Sequence, residues 1–249
     1  MNARHLASAV AGAALAALLA AQPALGQSLS LDLGSGASST GRIVQIIALI
    51  TVLSIAPSIL VMVTSFTRIV VVLSFLRNAM GVQQTPPNAV LISLALFLTA
   101  FIMTPTLEQA YRDGIAPLMQ NQISEEEAFS RSVKPVHQFM MAHVREHDLR
   151  LFLDIANGPP PATPDATPLR ALVPAFMISE LKRAFEIGFL LFVPFVIIDM
   201  VVASILMSMG MMMLPPVMIS LPFKLIFFVL VDGWYLVAGS LIQSYGGAG

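Results

Sequence analysis

The sequence predicts an all-α integral membrane protein with about four long hydrophobic helices and a helical insertion outside the membrane. Two observations carry that fold class. Hydrophobic residues fill 57% of the 249 positions and charged ones only 11%, whereas a soluble domain carries about 25% charge. Four apolar stretches each reach the roughly 20 residues that cross a bilayer as a helix. Four buried helices of a soluble protein would need more charge around them. The formal net charge of −1 offers no basic face to nucleic acid. The absence of cysteine excludes disulfide scaffolds, thiolate metal sites and cysteine nucleophiles.

Residues 1–26 read as a cleavable signal peptide. MNARH supplies the positive start, LASAVAGAALAALLA the short apolar run, and Ala24 and Gly26 the small residues before a cut at Gln27. An uncleaved anchor is the alternative. Residues 27–42, rich in Ser and Gly, read as a flexible leader. A first helical hairpin follows at 43–107, made of apolar segments at about 43–63 and 89–107. Its connection, 64–88, holds Arg68 and Arg77 and no acid, so it reads as a cytoplasmic loop.

Residues 108–183 hold eight basic and ten acidic side chains and read as a periplasmic helical region. Ser124-Glu125-Glu126-Glu127 is a capping box that starts one helix. Pro135 is suited to the first position of a second, running through Val136, Phe139, Met140 and Val144 and ending at Asn157-Gly158. Five prolines in the twelve residues 157–168 make a stiff linker. The second helical hairpin, 184–245, contains apolar segments at about 187–209 and 217–242 around a methionine-rich loop.

That loop is the most unusual stretch. MSMGMMMLPPVM, residues 207–218, has six methionines in twelve positions. Met207, Met209 and Met211 alternate, and thioethers select Cu(I); a Met-lined copper transporter is one reading, although no histidine is near. Plain apolar packing is another. The third is a constriction. Gly210 and the pair Pro215-Pro216 break the helix, and irregular backbone at membrane depth survives only in protein or beside a cavity. Methionine there can repack around varied shapes.

Three charges lie inside the apolar segments: Asp199, Lys224 and Asp232. Each must face protein, water or a partner charge. Asp199 and Lys224 are candidates for a pair within the chain; the favoured expectation is that all three sit at subunit interfaces and pair with other chains. Glu180 and Arg183 read as a modest surface pair one helical turn apart. His143, Glu146 and His147 fit the H-x-x-E-H zinc motif of inverted zincin proteases, but the pattern is short, the helix reads as a solvated face, and a third ligand is not evident. No catalytic residue, cofactor or metal is assigned.

Several stretches together resemble one family. TSFTRIVVVLSFLRNAMG (64–81), QTPPN (84–88), LFLTAFIMTP (96–105) and the run from Leu172 to Leu241 are similar to the flagellar type III export gate FliP family, which is homologous to a subunit of virulence-type injectisomes. The signal peptide favours the flagellar branch. The resemblance implies an all-α subunit without catalytic residues, in the bacterial inner membrane at the flagellar basal body. It implies a homo-oligomer of several copies, assembled with FliQ and FliR into a gate for unfolded flagellar proteins and raised in part above the bilayer. FlhA and FlhB complete the apparatus. In the family the methionine-rich loop closes the pore as a gasket, which places Met209, Met211, Met212 and Met213 there, shaped by Gly210, Pro215 and Pro216.

Overall fold

Every regular element among the described residues of this computed structural model is helical. The structure describes residues 37–82, 84–156, 161–211 and 214–246. The signal peptide, most of the leader, Gln83, the Asn157-Gly158 stop, Met212 and Met213 lie outside the described residues. The chain falls into two units, one ending at Ser54 and one from Ile55 onward.

Helix α1, Ala37–Met62, begins inside the stretch expected to be a flexible leader. In the first unit it exposes Val44, Ile47, Leu49, Ile50 and Leu53. Thr51 and Ser54 turn their hydroxyls back onto the carbonyls of Ile47 and Ile50, each at 2.8 Å, so neither leaves an unpaired donor in apolar surroundings.

In the second unit, the supposed loop after Met62 is mostly helix. Helix α2, Phe66–Ala79, buries Ile69, Val72, Leu73 and Leu76. Their spacing of three and four residues makes one helical face, and that face is the centre of the main core, against Leu91 and Ala95, Ala184 and Phe195, and Val237 and Leu241. Arg68 is therefore in a buried helix and not in a loop.

Helix α3, Asn88–Ala110, runs through Pro105 into a π-helical turn, Tyr111–Ile115, and a short α4, Ala116–Met119. Ser132 reaches across to donate to the Ala110 carbonyl at 3.3 Å, at the start of the π turn. Gly114 sits tightly against the next helix: a β-carbon there would lie 2.0 Å from Ser132 Oγ and 2.6 Å from the Ala128 carbonyl.

Helix α5, Glu125–His143, starts as expected, with Ser124 Oγ accepting the Glu127 amide. Pro135 does not start a second helix, because α5 runs straight through it. The real break is at Val144 and Arg145, both extended, before α6, Glu146–Ile155. Met140 packs with Leu172 and Phe176 in a second apolar cluster.

Helix α7, Leu169–Ser208, is 40 residues long, about 60 Å at 1.5 Å per residue. The expected span at 187–209 is only its second half. A buried stripe at four-residue spacing, Leu172, Phe176, Glu180, Ala184 and Gly188, runs along its first half. Helix α8, Pro216–Leu230, and α9, Gly233–Gly246, replace the single fourth span and meet at 62°. Asp232 makes that break, with φ +50°, a left-handed conformation that aspartate tolerates better than most residues. Among the described residues, two stretches, Asn88–Met119 and Leu169–Ser208, are long and apolar enough to cross a membrane unbroken, and two bent helix pairs raise the number to as many as four if each pair is one span.

Candidate functional site

The methionine loop is built from two helix ends. Helix α7 stops because Gly210 turns left-handed at φ +75°. Its amide donates to the Met207 carbonyl at 3.1 Å and the Met211 amide to the Leu206 carbonyl at 3.0 Å, the pair of bonds that satisfies the last carbonyls of a helix. Pro216 starts α8 at its first position, where a missing N–H is harmless. Met207 in the last turn of α7, and Met209 and Met211 beyond it, are exposed. On a helix end, residues two apart point about 200° apart; Met207 and Met209 thus diverge and do not form the start of a copper-ligand set.

Two buried polar clusters tie the loop-bearing helices to α2. Toward the loop, Lys224 Nζ lies 2.6 Å from Asp199 Oδ2 and donates to the Ala79 carbonyl at 3.4 Å. Ser220 donates to the other Asp199 oxygen. The lysine side chain is 5% exposed and the aspartate 30%. These two charges pair within one chain, which corrects the expectation that each would find its partner in another. Asp232 is different: it is exposed, at the α8–α9 break.

The second cluster is drier. Arg68 and Glu180 side chains are 1% and 0% exposed. Arg68 Nε donates to Glu180 Oε2 at 2.8 Å, and a second guanidinium nitrogen reaches Oε1. The third nitrogen donates to Ser244 Oγ at 3.0 Å. The guanidinium carbon lies 3.8 Å from the centre of the Tyr245 ring, and the Tyr245 hydroxyl donates to Glu180. Sequence reading took Glu180 for half of a surface pair with Arg183 and missed Ser244 and Tyr245. The signal was available: Arg68 shares a four-residue stripe with Val72 and Leu76, and Glu180 shares one with Phe176 and Ala184.

Arg77 ends α2, where a cation suits the helix C-terminus, and donates to Asn88 Oδ1 and, at 3.4 Å, the Pro86 carbonyl. It pins the turn into α3 and takes no acidic partner among the described residues.

The zinc motif comes apart in three dimensions. His143 is the last residue of α5, buried, with Nδ1 donating to the Phe139 carbonyl at 2.8 Å. His147 is on α6 with its side chain 88% exposed. The extended residues between them destroy the shared helical face. No group of three His, Asp or Glu among the described residues is arranged to hold a metal. What that region holds instead is a bracket: Arg145 makes two hydrogen bonds to Asp148 at 2.9 and 2.8 Å, and Ser179 of α7 donates to Asp148 at 2.7 Å. The Arg145 hydrogen bonds hold the Asp148 carboxyl at about 2, overcoming burial, which acts in the opposite direction; the Ser179 bond adds to the depression.

A family model described as the FliP family matches residues 49–241. The chain belongs to the FliP family. It is 62% identical over 234 residues to the flagellar biosynthetic protein FliP of Caulobacter vibrioides, covering 94% of this chain and 88% of that one. It is 57% identical over 202 residues to FliP of Bacillus subtilis, covering 81% and 91%. With FliP of Aquifex aeolicus it shares 50% over 217 residues, covering 86% and 91%. The family is a structural component of the flagellar export apparatus and not an enzyme family. Membership and the apolar helices together make this chain part of a membrane complex.

Proposed function

We propose that this chain is a core subunit of the flagellar protein export gate. Several copies assemble with FliQ and FliR in the inner membrane at the flagellar basal body, with FlhB and FlhA alongside, and line the pore through which unfolded flagellar proteins leave the cytoplasm. Residues 108–183 lie on the periplasmic side. Met209, Met211, Met212 and Met213 form the closure.

The observation that carries this reading is the placement of exposed methionines on a left-handed break between two apolar helices. Flexible unbranched side chains contributed by several copies fill a narrow hole and yield to any passing sequence. An apolar constriction also excludes ions by staying dry; a polar plug would hydrate and leak.

Two experiments test it. Deletion of the gene abolishes export of hook protein and flagellin into the medium, and a plasmid copy restores it; normal export in the deletion refutes the role. Replacing Met211, Met212 and Met213 with alanine makes membranes holding the assembled complex leaky to small ions. Unchanged permeability rules out the gasket.

A further inference from the structure

Beyond Leu107 the chain leaves its apolar band. Residues 88–107 hold no charge and are long enough as a helix to fill a bilayer's hydrocarbon; residues 108–119 then carry Glu108, Arg112 and Asp113. In this charged stretch the π turn and α4 fold back, through the short turn at 120–124, against an antiparallel α5. The contact is tight, with Gly114 facing Ala128 and Ser132. On two antiparallel helices, the residues one step beyond a facing pair point to the same side. Ile115 follows Gly114 and Phe129 follows Ala128, so both lie on one flank. Met119 is one turn after Ile115, and Tyr111 is one π turn before it. All four are exposed, Met119 at 71% and Phe129 at 70%. A single exposed apolar side chain is ordinary, but a row of four from two locked helices in a charged region marks an interaction surface.

The charges on this flank are unbalanced. Glu125 and Glu126 stand four and three residues before Phe129, on its side of α5. Both are exposed, and neither has an ion pair among the described residues. The helix dipole favours acids in a first turn but supplies no counter-ion. Neighbouring charges neutralise one another: Arg112 lies 2.9 Å from Glu108, and Arg131 pairs with Glu127. Lys134, five residues beyond Phe129, is turned away from the flank. We propose that the strip formed by Tyr111, Ile115, Met119 and Phe129 is a docking surface for another protein, which lays the apolar face of an amphipathic helix along it and sets lysine or arginine against Glu125 and Glu126. Charge selects this occupant over a second copy of the chain, because two copies meeting strip to strip would crowd four carboxylates with no cation between them. The platform is rigid: Gly114 lets the two helices close, and Ser132 ties them through the Ala110 carbonyl. Little ordering is therefore needed on this side of the contact. The gate reading places this surface in the periplasm; the contact itself does not depend on that reading.

Photocrosslinking in intact cells tests it. The photoreactive residue p-benzoylphenylalanine is placed at Phe129, at Met119 or, as a control, at Lys134, in the full chain expressed from its own locus. Cells are irradiated, adducts are purified through a tag on this chain, and the joined peptide is sequenced by mass spectrometry. Phe129 and Met119 join the same segment of one other protein, a segment with apolar residues at three- and four-residue spacing and lysine or arginine beside them; Lys134 does not join it. Glu125→Lys/Glu126→Lys lowers the Met119 adduct per copy of the chain at least about fivefold, and Glu125→Gln/Glu126→Gln lowers it less. Adducts that join two copies of this chain, or join it only to lipid, overturn the proposal. So do a joined segment without basic residues, a yield that ignores the charge reversal, and the absence of any protein adduct at both positions. Normal flagellar export after deletion of the gene would refute the gate and leave these adducts standing.

Discussion

Breaking the Arg68–Glu180 pair from either side has consequences that differ in size, and the difference follows from what each survivor retains. In Arg68→Met the Glu180 carboxylate stays buried with one donor, the Tyr245 hydroxyl. In Glu180→Gln the guanidinium keeps the Ser244 oxygens and the Tyr245 ring face at 3.8 Å, and the new amide can still accept from it. Removing one partner of a buried pair costs about 3–5 kcal/mol, so Arg68→Met belongs at the upper end. Glu180→Gln belongs near the cost of weakening one charged hydrogen bond, about 1.5–3 kcal/mol. A stabilisation change of 1 kcal/mol moves the midpoint by about 2–4 °C in a chain of this size. Thermal unfolding of the detergent-solubilised protein, followed by circular dichroism at neutral pH, is the assay. Arg68→Met melts roughly 10–20 °C below wild type and Glu180→Gln falls between the two. The double variant Arg68→Met/Glu180→Leu recovers much of the loss, because well-packed apolar replacements of a buried pair are often neutral. Equal effects from both single variants, or a double variant as unstable as Arg68→Met, would refute this account of the cluster.

The Asp148 bracket gives a pH dependence. Its folded pKa, about 2, lies below the unfolded value of about 3.9, so its stabilisation is fully present above about pH 4 and is lost as pH falls through 2; Asp148→Asn flattens that limb of an acid unfolding curve while the wild type keeps it. Gly114→Ala forces a β-carbon to within 2.0 Å of Ser132 Oγ and lowers stability by about 1–3 kcal/mol, and Gly114→Ala/Ser132→Ala recovers only part of it because the Ala128 carbonyl, 2.6 Å away, remains in place. Gly210→Ala meets open space but a left-handed backbone, so it costs about 1 kcal/mol in the same melting assay, and a loss above about 3 kcal/mol would show that the loop is packed more tightly than its surroundings indicate.

The helical class, the membrane segments and the methionine loop were legible because they rest on composition and local pattern. Apolar runs of sufficient length read directly as α3 and the second half of α7, and Gly210 followed by two prolines announced a helix end. The errors came where tertiary contacts decide. Residues 66–79 looked like a loop because two arginines flank a short apolar run, yet the three- and four-residue spacing of Ile69, Val72, Leu73 and Leu76 already marked a buried face. Pro135 looked like a helix start, but a proline inside a helix is tolerated when packing on both sides compensates for the lost bond, and α5 packs against both the π turn and α7. The zinc motif failed for a local reason that no spacing rule sees: the chain is extended at Val144 and Arg145. Asp199 and Lys224 stand 25 residues apart, so their union required knowing that α8 folds back along α7.

The two charged clusters do more than satisfy one another. Helices in lipid gain little from burying apolar surface, since the tails are as apolar as leucine, so apolar faces alone leave their sliding and rotation weakly specified. Arg68–Glu180 and Ala79–Lys224–Asp199 join the same elements, α2, α7 and the C-terminal pair, at two heights, and together they fix both. A charge swap at the upper cluster tests this. Asp199→Lys alone places two cations together and lowers the yield of purified complex sharply. Adding Lys224→Asp restores the attraction but turns a carboxylate toward the Ala79 carbonyl, which had accepted from lysine at 3.4 Å, and removes the carboxylate that Ser220 served. Yield therefore returns only in part. Full return would mean that the carbonyl and the serine contribute nothing to register, and no return at all would mean that the attraction between positions 199 and 224 is not what holds α8 in place.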